Sequence, residues 1–148
     1  MTPYVQQYVS SEEQVIFNRI REAIALLPDI DLGVDEKGEE IVLSCHMLAR
    51  AVAKIFHLKV VDGYFARFYN HSWLVTPKGH VIDIYPVGML GGPMLVDATG
   101  VLSPGGHLYK QKNPRAFARG QFSKNSFRRS VRRITRALTN ILENKATT

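Results

Sequence analysis

The chain holds a single cysteine, Cys45, and the residues that follow it are of the types a thiol nucleophile requires. Cys45 or Ser44 opens a segment in which Leu48, Val52, Ile55 and Phe56 recur at helical spacing, with Ala49, Ala51 and Ala53 favouring helix. A thiol at a helix start faces unpaired backbone N–H groups and the positive end of the helix dipole, which favour thiolate over thiol. A nucleophile also needs a base, and the base needs a group to orient it. His71 and Asp83 follow in that order. The expected roles are Cys45 as nucleophile, His71 as general base and Asp83 as orienter, with the Cys45 backbone N–H as the first oxyanion donor.

Turn length decides whether His71 and Asp83 meet. Two β-like runs, His71–Thr76 and His80–Tyr85, flank Pro77-Lys78-Gly79. A three-residue loop pairs Thr76 with His80 and puts His71 opposite Tyr85. Asp83 then shares the face of His71 and lies diagonal to it, about 7–8 Å away at the backbone. A two-residue loop sends Asp83 to the other face.

Other readings of these residues stand beside this one. Cys45 alone would be a buried structural thiol, and Asp97 is a second acid that could orient His71. His46, His57, His80 and His107 show no metal-ligand spacing, and neighbouring helical positions such as Cys45 and His46 are expected to point apart. Gly91-Gly92 and Gly105-Gly106 lack the strand–glycine–helix context of a phosphate loop and read as turns. No cofactor is expected.

The elements that must hold the site can also be read. Ser10 with Glu13, or Ser11 with Gln14, has capping-box spacing ahead of Phe17, Ile20, Ile24 and Leu27, a helix stopped by Pro28. Residues 29–40 read as an acidic loop. After the second helix come β-like runs at Lys59–Phe68, His71–Thr76 and His80–Tyr85, then Met94–Ala98. The stretch 102–120 is rich in Gly, Pro, Lys and Asn and reads as an irregular excursion. A final helix at about 123–143 carries Phe127, Val131, Ile134, Leu138 and Ile141 on one face, and Arg128, Arg129, Arg132, Arg133 and Arg136 mainly around the other. The order predicts one α+β domain over 1–148, with helices packed on a small antiparallel sheet.

Composition bounds the function. At 148 residues and 45% apolar, the chain suits one core. One cysteine excludes an internal disulfide and a multi-thiolate metal site. No apolar run reaches the ~20 residues of a transmembrane helix. Met1 to Ser10 has neither a basic leader nor an apolar stretch, so a cytoplasmic location is expected. Residues 1–109 hold 8 Lys/Arg against 12 Asp/Glu, whereas residues 110–148 hold 11 against one. The first reading of this basic tail is a helix packed on its own domain through its apolar stripe. The others are an acidic protein partner or anionic membrane surface, and nucleic acid, less favoured for want of interleaved aromatics.

The segments Ser44-Cys45-His46-x-x-Ala49-Arg50-Ala51, Val60-Val61-Asp62-Gly63-Tyr64, Asn70-His71-Ser72-Trp73 and Val81-Ile82-Asp83 together resemble the transglutaminase-like core of the papain-like cysteine protease superfamily. The resemblance spans roughly residues 41–86. It implies a nucleophilic Cys45 at a helix N-terminus, with His71 and Asp83 completing the catalytic set. Trp73 would pack near the site, with Tyr64 and Ser44 as weaker candidates for pocket wall or oxyanion contact. The chain departs from the pattern in having His46 where many members have an aromatic residue, and Ile84 where many have proline. The implied activity is acyl transfer through a Cys45 thioester, acting on a protein, a peptide or a small amide, with hydrolysis expected. The competing class is a non-enzymatic binding module working through its basic helix.

Overall fold

The Ser10 side chain accepts from the Glu13 N–H while the Glu13 carboxylate accepts from the Ser10 N–H, so the expected capping box opens the first helix. The protein is described from a computed structural model, which covers residues 4–5, 9–27, 34, 37–38, 40, 43–66, 69–85, 94–96, 109–111 and 122–146. The elements in chain order are β1 (Tyr4–Val5), α1 (Ser11–Ala25), α2 (Cys45–Phe56), β2 (Lys59–Phe65), β3 (Tyr69–Val75), β4 (Val81–Asp83), β5 (Met94–Val96), β6 (Tyr109–Gln111) and α3 (Lys124–Ala146). Asp97, His107, both glycine pairs and most of the 102–120 excursion lie outside the described residues.

The strands form one sheet in the order β1-β5-β4-β3-β2-β6. Four of the five pairings between neighbouring strands are antiparallel, as expected. The fifth corrects that expectation, because β1 pairs parallel to β5. Neither β1 nor β6 is foreseen by periodicity, since segments of two and three residues are too short to alternate. β2, β4 and β5 are shorter than their sequence runs, whereas β3 starts two residues before its run and ends one residue sooner.

Helices cover one face of the sheet. Phe17 and Ile20 of α1, Leu48 and Val52 of α2, and Ile134 and Leu138 of α3 pack with Leu74, Ile82 and Leu95 of the strands. The other face carries an aromatic-rich cluster of Val61, Phe65, Trp73, Val81, Val96 and Tyr109. Strand alternation explains the division, because Leu74 and Ile82 are register partners on one face while Val75 and Val81 are partners on the other. α3 lies against α2 through its apolar stripe, and Arg128, Arg129, Arg132, Arg133 and Arg136 are all exposed. No described helix is long and apolar enough to cross a membrane.

The β3–β4 turn has the length that brings His71 and Asp83 to one face. Thr76 N–H donates to the His80 carbonyl at 2.9 Å, and Gly79 N–H to the Thr76 carbonyl at 2.8 Å, closing a three-residue loop. Gly79 sits at φ +83°, a conformation glycine takes without strain. The turn is held from outside by Glu13. Its buried carboxylate accepts from Thr76 Oγ1 at 2.7 Å and contacts His80 Nδ1 at 2.9 Å.

Candidate functional site

Cys45 is the first residue of α2, and Ser44 is its N-cap. The Ser44 hydroxyl accepts from the Met47 N–H at 3.2 Å and its carbonyl from the Leu48 N–H at 3.0 Å. The N–H groups of Cys45 and His46 have no acceptor within the helix, as for any first turn. Ser44 is therefore engaged as a cap, which leaves the backbone N–H groups of Cys45 and His46 as the ones without an intrahelical acceptor.

β3 brings His71 to this helix start. The Leu74–Ile82 and Val75–Val81 pairs are the ladder between β3 and β4. Extended by three residues, the same register puts His71 opposite Tyr85 and Asp83 on its diagonal, as the loop length predicts. His71 and Asp83 are both fully buried, and His71 Nε2 lies 2.7 Å from Asp83 Oδ2. With Nε2 committed to the carboxylate, Nδ1 is the nitrogen left over, buried and without a hydrogen-bond partner. The Cys45 thiol lies within interaction range of this imidazole.

The electrostatics follow from these contacts. Burial pushes the Cys45 thiol up, but the neighbouring imidazoles of His46 and His71 outweigh it, bringing the thiol down to about 6. Burial opposes a charge on His71, yet the Asp83 hydrogen bond, the Cys45 contact and their negative charges raise it to about 9. Between these values the favoured state is a thiolate beside an imidazolium.

Other expected residues divide. Trp73 is buried, its ring 6.4 Å from that of His71 and 5.1 Å from that of Tyr109. Together with Cys45, Ala49, Ser72, Asp83 and Tyr85 it lines a small cleft. Tyr64 does not line this cleft; it lies across from Asn70 on β3, on the face that also carries Asp62 and Ser72.

Two participants have no signal in the sequence. Tyr109, on β6 within a stretch that reads as loop, donates its hydroxyl to Asp83 Oδ2 at 2.8 Å. Burial, with the charge of Asp83 and this hydrogen bond, raises its ionisation well above the ordinary phenol value. The other is the partner of His46, whose ring turns to β3 with Nδ1 2.6 Å from Ser72 Oγ.

Comparison with models of known protein families, with curated proteins and with solved structures found no match.

Proposed function

We propose that the chain is a cysteine-dependent acyl-transfer enzyme with a transglutaminase-like core, hydrolysing an amide or peptide bond through a thioester on Cys45. The observation that carries this reading is the committed His71–Asp83 pair, which leaves one buried imidazole nitrogen unpartnered beside a thiol at a helix start.

His71 takes the thiol proton, giving the thiolate–imidazolium pair. The sulfur attacks the carbonyl carbon, forming a C–S bond and placing the pair of electrons on the carbonyl oxygen. N–H groups of the first turn of α2 hold that oxyanion. When it collapses, the C–N bond breaks and the departing nitrogen takes the proton from His71. Water then gives a proton to His71 and attacks the thioester, and rupture of the C–S bond returns the thiol and releases the acid. Asp83 keeps the ring oriented throughout.

The test uses the single cysteine as its own probe. The rate of iodoacetamide alkylation, followed against pH, should rise well below the ~8.5 of an ordinary thiol. His71→Ala and Asp83→Ala should move the rise upward. An acetyl donor such as p-nitrophenyl acetate should label Cys45 by mass in wild type and far less in His71→Ala. An ordinary profile unaffected by His71→Ala overturns the reading.

A second reading, a binding module, draws on the outer face of α3. Arg128, Arg132 and Arg136 recur every four residues there, all exposed, and no carboxylate among the described residues pairs with them. A salt-sensitive complex with nucleic acid that survives Cys45→Ala would favour it.

A further inference from the structure

The residue after the thiol is bonded to the residue after the imidazole. His46 follows Cys45 on α2 as Ser72 follows His71 on β3, and His46 Nδ1 lies 2.6 Å from Ser72 Oγ. This contact belongs to a closed circuit of four residues. The Ser72 hydroxyl donates to Asp62 Oδ1 at 2.5 Å, and Asp62 Oδ2 accepts from Arg50 Nη2 at 2.7 Å. Arg50 Nη1 donates to the His46 carbonyl at 3.1 Å and to Ser72 Oγ at 3.4 Å, which returns the circuit to its start.

The backbone dictates where the circuit closes. His46 and Arg50 are four apart on α2, so they rise from one side of the helix. Asp62 and Ser72 are register partners on β2 and β3, so they stand on one face of the ladder. With its one proton given to Asp62, Ser72 Oγ accepts from both His46 Nδ1 and Arg50 Nη1. The planar guanidinium reaches three acceptors through two nitrogens, and its Cζ lies 5.5 Å from the centre of the Phe127 ring on α3. Arg50 and Asp62 keep 27% and 19% of their side-chain surface exposed, so solvent screens the pair and its contribution to stability is modest.

The circuit joins elements that the His71 contacts leave apart. Asp83 and Tyr109 tie His71 to β4 and β6, whereas Cys45 is carried by α2. We propose that Arg50, Asp62 and Ser72 are positioning residues for the acyl transfer, which act through His46 to hold the first turn of α2 at the separation from β3 that lets the Cys45 thiol meet the His71 imidazole. The inference rests on the reading of Cys45 as a nucleophile. Opening the circuit leaves Leu48 and Val52 packed in the core, so the fold persists while the helix start is free to shift. A misplacement of about 1 Å can cost about a hundredfold in rate.

The test compares wild type with Ser72→Ala, Asp62→Asn, their double variant, Arg50→Lys and Ile20→Val, by iodoacetamide pH–rate profiles and by acetylation with p-nitrophenyl acetate. Ser72→Ala and Asp62→Asn should each raise the alkylation midpoint by about one pH unit and slow acetylation at least about tenfold. The double variant should add little to either, because both substitutions open the same circuit. Arg50→Lys keeps the charge but offers one nitrogen where the circuit uses two, and should give part of the same shift. Ile20→Val weakens the buried core at α1 and should keep the wild-type profile, which separates positioning from loss of stability. A depressed wild-type midpoint that every circuit variant preserves overturns the positioning role and leaves the enzyme reading standing. An Ile20→Val shift as large as that of the circuit variants overturns it too. A wild-type midpoint at the ordinary thiol value overturns the enzyme reading and this inference together.

Discussion

Tyr109 and His71 share one oxygen of Asp83: the phenol donates at 2.8 Å and the imidazole Nε2 lies at 2.7 Å. The other oxygen accepts the Tyr85 N–H at 3.3 Å. Tyr109 therefore acts on the imidazole through the carboxylate, and its ring packs on Trp73 and Phe65. Tyr109→Phe keeps the packing and removes one buried hydrogen bond. We expect a loss of about 1–2 kcal/mol in denaturant-measured stability. Cys45 alkylation should slow less than in Asp83→Ala.

Under the proposed acyl transfer, the thiol at about 6 and the imidazole at about 9 set the expected pH window. Activity should rise as pH passes about 6, where the thiolate forms, and fall above about 9, where His71 loses the proton that the leaving group needs. Asp83→Asn removes the leading contact that raises His71, so the upper limb should move to lower pH. A pH–rate profile of thioester formation and turnover checks both limbs.

Glu13 gives the fold a dependence on acid. Its burial disfavours charge, but hydrogen bonds from Thr76, Ser10 and His80 outweigh that and hold its carboxyl below the usual 4.5. A depressed folded value contributes stability that is complete above the unfolded value and lost as pH falls through the folded one. Thermal stability should therefore weaken below about pH 4.5, and Glu13→Gln should flatten that dependence while lowering stability by about 1–3 kcal/mol near neutrality.

His57 ends α2 in the left-handed region at φ 55°, with Leu58 N–H closing back on the Ala53 carbonyl at 3.1 Å. A residue with a Cβ is strained there. His57→Gly should raise stability by about 1 kcal/mol, read as a higher melting temperature.

The two faces of α3 should respond differently. Leu138 is fully buried against the core, and Leu138→Ala should cost about 2–5 kcal/mol. Arg132 is exposed, and Arg132→Gln should stay within about 0.5 kcal/mol. Chemical denaturation separates the two.

What was legible in the sequence depended on repetition. α1, α2 and α3 declare themselves by apolar spacing and, in α1, by the Ser10–Glu13 box. The β3–β4 register follows from Pro77-Lys78-Gly79, because a period of two turns loop length into a choice of face. Tyr109 was not legible, since only pairing with Phe65 across the sheet makes its segment a strand. β1 likewise exists through its neighbour β5.

The β3–β4 hairpin carries a proton-sensitive clasp at each end: Glu13 with Thr76 and His80 at the turn, and His71 with Asp83 and Tyr109 at the mouth. Between them the arms are joined by buried Leu74, Val81 and Ile82. Such a ribbon behaves as a stiff strut, so the imidazole is aimed by backbone rather than by side-chain reach. Acidification would then open the distal clasp as Glu13 takes up a proton, slackening the strut from the end that never meets substrate.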